Sequence, residues 1–384
     1  MSFKAHIQKR LEKSVKKYFK KHPDVRLIAV VGSVGKTSTK EMISSVLSQK
    51  YQVWKTQGNL NNEIGMPLTL LQVMDEHEVA VIEMGISDFG EMHRLGEIAK
   101  PDIVVMTNIG QCHLEKLIDR PGVLRAKTEI LEHLSEHAEV ILNVDDDMLR
   151  TIPIVPGTHF HYYGILMEAD VRATKIESAG LDGIKALVET PAGEFDLTIP
   201  LPGEHNVYNA LAAMEVGLCL GLSKAEIVEG IRQIETISGR SRFLHLRDQI
   251  TLIDDCYNAN PVSVKAGLQV LSLAAGRTIA VLGDMGELGE DEKALHYEVG
   301  KAVSQHHIDV LYTAGALSRE IARAVMAEHG ATQVHPFDTR DAMVEELIRK
   351  IKKGDTILIK ASHFMEFSKV VTAVETEFAP EHRC

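Results

Sequence analysis

The sequence predicts an α/β protein built from two successive series of alternating strands and helices, and three observations carry that prediction. Apolar runs of strand length recur between segments of helical period. The first run, Leu27-Ile28-Ala29-Val30-Val31, stops at a glycine-rich turn and gives way to a helical stretch bearing Met42, Ile43, Val46 and Leu47. After about residue 250 a second series of the same texture begins. At 384 residues the chain is long enough for two or three domains with separate cores, and 45% apolar with 25% charged residues is a globular composition.

The opening segment is basic: residues 1 to 26 hold nine Lys or Arg against Glu12 and Asp24, an excess of seven that leaves −19 on the rest of a chain of net charge −12. Ile7, Leu11, Val15, Tyr18 and Phe19 recur at steps of three and four, so one amphipathic helix is expected up to Pro23. The overall acidity excludes general nucleic-acid binding. No apolar run reaches the roughly 18 residues of a membrane span, and the basic start lacks an apolar signal core. The expected compartment is therefore the cytoplasm, and Cys112, Cys219, Cys256 and Cys384, without paired spacing, give neither a zinc motif nor a disulfide framework.

From Val25 onward the buried-strand candidates are Val79 to Glu83, Asp102 to Thr107 and Val140 to Asn143, with helices around Glu91 to Ala99 and Ala126 to Leu134. This alternation implies a parallel sheet covered on both faces. Short alternating runs at His159 to Tyr163, Val171 to Ile176, Ile184 to Glu189 and Phe195 to Ile199 predict a small antiparallel sheet. Helices Asn206 to Leu220 and Lys224 to Ile234 follow, then a loop with Ser238-Gly239-Arg240-Ser241. Strands at Thr251 to Asp254, Thr278 to Leu282, Val310 to Tyr312 and Thr356 to Lys360 open the second series. The expected organisation is a basic helix (1–24), a central domain (25–243) and a C-terminal domain (244–384).

The segment Gly32-Ser33-Val34-Gly35-Lys36-Thr37-Ser38 lies between a buried strand and a helix, where backbone N–H groups and the helix N-terminus cradle phosphate oxygens. Lys36 is placed to reach terminal phosphates and Thr37 to give its hydroxyl to Mg²⁺. Val30 stands where the general phosphate-loop pattern has glycine, so that pattern is met only in part. Glu83 ends a strand, and if the sheet is parallel its carboxylate arrives beside the loop, positioned to hold Mg²⁺. Alone, an acidic strand end is a solvated one; the loop upstream gives it meaning.

With these residues in view the chain resembles the Mur ligases, ATP-dependent enzymes that join amino acids or peptides to cell-wall precursors. The resemblance rests on the phosphate loop, on Gly58-Asn59-Leu60-Asn61-Asn62-Glu63-Ile64-Gly65-Met66-Pro67-Leu68, on Glu83-Met84-Gly85, and on Thr107-Asn108-Ile109-Gly110 ahead of His113. It continues through Ala126-Lys127, Gly203-Glu204-His205-Asn206-Val207-Tyr208-Asn209-Ala210, Asp254-Asp255-Cys256-Tyr257-Asn258-Ala259-Asn260-Pro261 and Leu282-Gly283-Asp284-Met285-Gly286-Glu287-Leu288-Gly289. The runs around Asn61 and Tyr257 resemble the branch of the family that adds D-alanyl-D-alanine, the MurF type.

The resemblance implies a P-loop-containing central ATPase domain and a C-terminal Rossmann-like α/β domain, with ATP and Mg²⁺ as cofactors. It implies an acyl-phosphate mechanism in which a carboxylate takes the γ-phosphate and an amine then displaces phosphate. Lys36, Glu83, Lys127 and His113 are the implied catalytic residues, with Thr37, Glu83, His113 and Lys127 at the metal. Lys127 matches the lysine that is carbamylated in the family, which requires a neutral amine. Gly32 to Ser38, Asn206, Asn209, Arg240, Asp255, Tyr257 and Asn258 are the implied nucleotide contacts, and Asn61, Asn62, Glu63, Ser362 and His363 the substrate contacts. By themselves Asn206 and Asn209 are also helix-capping types, and Asn61 and Asn62 turn types.

Two departures follow. The family's N-terminal domain of about a hundred residues, which grips the UDP-sugar, is expected to be missing, since 24 residues precede the first strand. Lys360-Ala361-Ser362-His363 stands where Lys-Gly-Ser-Arg is common. The alternatives are the same ligase chemistry on another donor and acceptor, as in folate polyglutamylation or amino-acid polymer ligases, or an ATP-binding scaffold without turnover. The basic helix is read either as the contact for an anionic carrier, lipid headgroup or acidic partner, or as a helix packed by its apolar stripe.

Overall fold

The computed structural model describes residues 3–235 and 238–380; Cys384 lies outside them. The chain divides into two units, Met1–Ile234 and Glu235–Cys384.

Among the described residues the first unit is built on a nine-stranded sheet. Its strands are β1 (Arg26–Val31), β2 (Val53–Lys55), β3 (Val79–Glu83), β4 (Ile103–Met106), β5 (Glu139–Asn143), β6 (His159–Gly164), β7 (Val171–Ser178), β8 (Ile184–Thr190) and β9 (Gly193–Ile199). They lie in the order β2-β3-β1-β4-β5-β6-β7-β8-β9. Pairing is parallel from β2 to the start of β7 and antiparallel from β7 to β9. The antiparallel strands expected from the alternating runs are therefore an extension of the main sheet, and β6 joins its parallel part. The register Val30↔Glu83 and Val31↔Met106 brings the carboxyl ends of β3, β1 and β4 to one edge, where open α/β sheets hold ligands.

One face of the sheet is covered by α2 (Lys36–Leu47), α7 (His205–Cys219) and α8 (Lys224–Arg232). Ile43, Val46, Leu211 and Ile227 are fully buried there against Ile28, Val30 and Val81. Gly230 sets the approach of α8 to α2, because a Cβ at that position would lie 2.4 Å from Val46 Cα. The other face carries α1 (Phe3–Phe19), α3 (Gly65–Leu70), α4 (Glu91–Ala99), α5 (Leu114–Leu117) and α6 (Arg120–Thr128). Met66, Leu70, Met92, Leu95, Val123 and Ala126 fill that core. Helix α6 starts earlier than the apolar pattern shows, because the Asp119 carboxylate caps it by accepting from Gly122 N–H and Pro121 occupies the first turn. A short 3₁₀ segment, Glu129–His133, completes what the periodicity placed in one helix.

The basic helix α1 packs by its stripe. Val15 is buried, Tyr18 and Phe19 join the same core, and Tyr18 Oη donates to Val73 O. Lys16 pairs with Glu12 at 2.7 Å and with Glu97 of α4 at 2.9 Å. Among the described residues no helix is long and apolar enough to cross a membrane.

The second unit has a six-stranded sheet in the order β10-β11-β15-β12-β13-β14. Its strands are β10 (Arg242–His245), β11 (Thr251–Asp254), β12 (Thr278–Gly283), β13 (Val310–Ala314), β14 (Gln333–Phe337) and β15 (Thr356–Lys360). All pairs are parallel except β10 with β11. Helices α9 (Pro261–Leu271), α10 (Glu292–Gln305), α11 (Ser318–Ala327), α12 (Arg340–Lys350) and α13 (Ser368–Glu377) cover it. The strands the sequence reading lacked, β2, β10 and β14, are sheet edges; β14 even contains Pro336, which only an edge tolerates.

Candidate active site

The turn after β1 closes on itself through β4. Gly32 passes so near β4 that a Cβ there would fall 1.9 Å from Thr107 Oγ1. Asn108 clamps the next residues: its Oδ1 accepts from Val34 N–H at 3.0 Å, its Nδ2 donates to Val34 O at 3.0 Å, and its carbonyl accepts from Ser33 N–H at 3.0 Å. Ser33 Oγ accepts from Gly110 N–H at 2.9 Å and from Cys112 Sγ at 3.2 Å. Gly35, at φ 80, supplies the left-handed turn into α2. The Lys36 ammonium bends back over this cradle and donates to Gly32 O at 2.9 Å. Ser38 lies half-buried one residue beyond Thr37 in α2.

Glu83 is 2% exposed, and both carboxylate oxygens are engaged at the mouth of the loop. Oε2 accepts from Thr37 Oγ1 at 2.8 Å and Oε1 from Asn61 Nδ2 at 2.8 Å. The backbone N–H of Glu83 donates to Thr56 Oγ1 at 2.9 Å, so β2 fixes the strand tip. A buried carboxylate beside a hydroxyl is a hard, all-oxygen donor set of the kind Mg²⁺ takes. The glycine cradle, with no room for a Cβ at Gly32, fits a phosphate chain.

Lys127, on α6, is 1% exposed, and among the described residues it makes no hydrogen bond or ion pair. Burial pushes its amine down to about 8; the charge of Lys36 adds to this and Cys112 opposes it. His113 heads α5 in a left-handed conformation, φ 53.

Several other residues of the sequence reading have well-defined places. Asn209 Oδ1 accepts from Thr39 Oγ1 at 2.8 Å, Asn209 Nδ2 donates to Asn206 Oδ1 at 3.0 Å, and Asn206 Nδ2 donates to Pro202 O at 2.8 Å. This buried chain braces α7 against the phosphate-loop helix. Asn62 Oδ1 accepts from the Ile64 and Gly65 N–H groups in the turn that leads into α3. Glu63 turns the other way, accepting from Gln8 of α1 at 2.9 Å and from Arg94. Of the three loop residues Asn61 alone bonds the Glu83 carboxylate.

In the second unit Asp255 is buried, with Oδ2 2.5 Å from Lys360 Nζ and Oδ1 accepting from Ser241 N–H at 3.1 Å. Arg240 stacks on Tyr257, 4.0 Å from guanidinium to ring centre, and Tyr257 lies 5.8 Å from the exposed His363 ring. Asn258 is exposed, its Oδ1 accepting from Ala259 N–H. Ser362 is buried, its Oγ accepting from Gly286 N–H at 2.9 Å. Asn108, Thr56, Cys112 and Lys360 are parts of these constellations that the sequence reading did not assign. Asn108 and Lys360 had a signal, their places in the Thr-Asn-Ile-Gly and Lys-Ala-Ser-His runs.

The Mur ligase middle domain model matches residues 30–217, and the model of the Mur ligase, glutamate ligase domain matches residues 239–363. The chain is 34% identical over 354 residues to the UDP-N-acetylmuramoyl-tripeptide–D-alanyl-D-alanine ligase of Bacillus subtilis, covering 90% of this chain and 75% of that protein. The chain belongs to the Mur ligase family. Its fold superimposes on crystal structure I of MurF from Acinetobacter baumannii with a TM-score of 0.87 at 31% identity, covering 96% of this chain and 80% of that one. The MurF ligase of Thermotoga maritima, solved in complex with ADP, superimposes with a TM-score of 0.85 at 27% identity, over 96% and 84% of the two chains. This Mur ligase is accordingly an ATP-dependent ligase.

Proposed function

We propose that this Mur ligase works in the cytoplasm in peptidoglycan synthesis, joining D-alanyl-D-alanine or an amine of similar build to the carboxylate of a UDP-muramoyl tripeptide. The observation that carries the reading is the Glu83 carboxylate, buried and gripped by Thr37 and Asn61 at the mouth of a glycine cradle. The relative from Bacillus subtilis, named for this reaction, supports the choice of substrates.

Gly32, Ser33, Val34 and Gly35 would hold the phosphate chain, with Lys36 swinging from Gly32 O onto the terminal phosphate oxygens. Thr37 and Glu83 would hold Mg²⁺, which when bound supplies charge neutralisation on those oxygens. The donor carboxylate takes the terminal phosphoryl group; the amine then attacks the acyl carbon, and phosphate leaves from a tetrahedral intermediate. Lys127, its amine brought down to about 8 by burial so that it gives up its proton far more readily than a surface lysine, is suited to form a carbamate, whose negative charge would face the metal beside His113. Arg240, Asp255, Tyr257 and Asn258 are assigned to the nucleotide, as are Asn206 and Asn209 through their bracing of α2. Asn61, Asn62, Glu63, Ser362 and His363 are assigned to substrates. The exposed Lys9, Arg10, Lys13 and Lys17 of α1, whose Gln8 already touches the Glu63 loop, are assigned to an anionic group of the donor or its carrier.

The test is ADP release in a coupled assay. Turnover that requires both UDP-muramoyl tripeptide and D-alanyl-D-alanine is expected. Turnover only with other acid and amine pairs overturns the substrate assignment, and ATP binding without turnover under any pair overturns the ligase reading.

A further inference from the structure

At the end of the sheet remote from the phosphate loop the fold assembles a cluster that has no sequence motif. Glu139 opens β5, His161 lies on β6 and Cys219 closes α7, with Glu215 one helical turn earlier on the same helix. One oxygen of Glu139, one ring nitrogen of His161 and Cys219 Sγ lie within 4.8 Å of one another. His161 Nε2 is 2.8 Å from Glu139 Oε2 and 3.9 Å from Cys219 Sγ. The other ring nitrogen, Nδ1, is 2.9 Å from Glu215 Oε1, a carboxylate only 5% exposed.

We propose that Glu139, His161 and Cys219 form a binding site for a zinc-class divalent cation, with Glu215 holding both the imidazole and, through a 3.7 Å contact of the same oxygen with Cys219 Sγ, the thiol. The ligand chemistry selects the metal class: thiolate, imidazole and carboxylate together suit Zn²⁺, and Mg²⁺ takes oxygen alone. A tetrahedral zinc centre separates neighbouring N, O and S ligand atoms by roughly 3.3 to 3.6 Å. The observed 2.8 and 3.9 Å lie on either side of that range, and the third edge, Glu139 to Cys219, is within 4.8 Å. The Glu215 contact is the carboxylate–histidine pairing that fixes the tautomer of metal-bound histidines and aims the second nitrogen at the ion. Three protein ligands leave the fourth position to water. With a thiolate the two carboxylates and the dication sum to one negative charge, the same as two carboxylates, an imidazolium and a thiol. A bound ion would tie the last turn of α7 to β5 and β6, stapling the helix whose first turns carry Asn206 and Asn209.

The probe is cobalt(II) chloride titrated into the full chain after chelator treatment, in the absence of nucleotide. One equivalent is expected to produce a near-ultraviolet thiolate-to-cobalt band with visible bands of tetrahedral intensity, and zinc chloride is expected to bleach both. Cys219→Ser should abolish the near-ultraviolet band, which also separates this site from Cys112 and Cys256. Glu139→Gln, at a half-buried side chain, should keep the band but weaken binding at least tenfold, and Glu215→Gln should weaken it by 10- to 100-fold. The proposal is overturned by the absence of a thiolate band at stoichiometric cobalt, by a band that survives Cys219→Ser, or by unchanged affinity in Glu139→Gln.

Discussion

Lys127 places a cost on the folded chain that its chemistry explains, and the substitution Lys127→Met measures it. Methionine keeps the length and helix preference of lysine and removes the ionisable amine. Lowering the amine from 10.5 to about 8 in the folded state, at about 1.4 kcal/mol per pKa unit, corresponds to about 3 kcal/mol. The sign is set by which state binds the proton more weakly. Below about pH 8 both states are protonated and the buried charge destabilises the fold in full. Between about 8 and 10.5 the folded state has released its proton while the unfolded state keeps it, so stability rises with pH; above 10.5 the penalty has gone. In bicarbonate-free buffer at pH 7 the variant should therefore be more stable than its parent by about 3 kcal/mol, with the gap closing toward pH 10. Urea unfolding followed by fluorescence reports on the correct unit, because the single tryptophan, Trp54, sits in β2 with Nε1 bonded to Thr69 O at 2.9 Å. The same variant should lose ligation. A variant less stable than its parent at pH 7, or a gap that does not change with pH, would refute the buried-amine argument.

Other perturbations test separate contacts. Asn108→Ala removes two hydrogen bonds to Val34, each worth about 1 kcal/mol, so unfolding followed by Trp54 should fall by about 2 kcal/mol and ATP should bind more weakly by calorimetry, because the loop is no longer fixed before binding. Gly32→Ala drives a methyl group into Thr107 and should abolish nucleotide binding in the same titration. Asp255→Asn leaves Lys360 charged and buried, and calorimetric unfolding of the second unit should fall by about 3 to 5 kcal/mol, with Asp255→Asn/Lys360→Met recovering much of the loss. Replacing Lys9, Arg10, Lys13 and Lys17 together by Gln should raise donor KM with kcat unchanged; an unchanged KM removes α1 from donor binding.

What the sequence disclosed and what it withheld divide along a physical line. The strand Val79–Glu83 and helix Glu91–Ala99 were legible because their signal is local: one is an apolar run buried on both faces, the other a helix with one apolar stripe. The glycine cradle was legible for the same reason, since seven consecutive residues carry it. Edge strands were not, because β2 and β10 are only partly buried and so lack a strong apolar pattern. The clamp of Asn108 on Val34 needs β4 to lie beside β1, a fact of register rather than of spacing. Lys127 sits on a helix with Arg120 and Arg125 close by in sequence, and nothing local marks it as the buried one; its lowered pKa follows from the packing of Val123 and Ala126 against the sheet. The same reasoning covers the Glu139, His161 and Cys219 cluster, whose partners stand 22 and 58 residues apart. Cysteine spacing gives no zinc motif there because the ligands come from two strands and a helix end, so only the parallel pairing of β5 with β6 and the seat of α7 across them bring the donor atoms together. Chemistry carried by contiguous residues is thus readable before folding, and chemistry assembled by register becomes visible only once neighbouring strands are known.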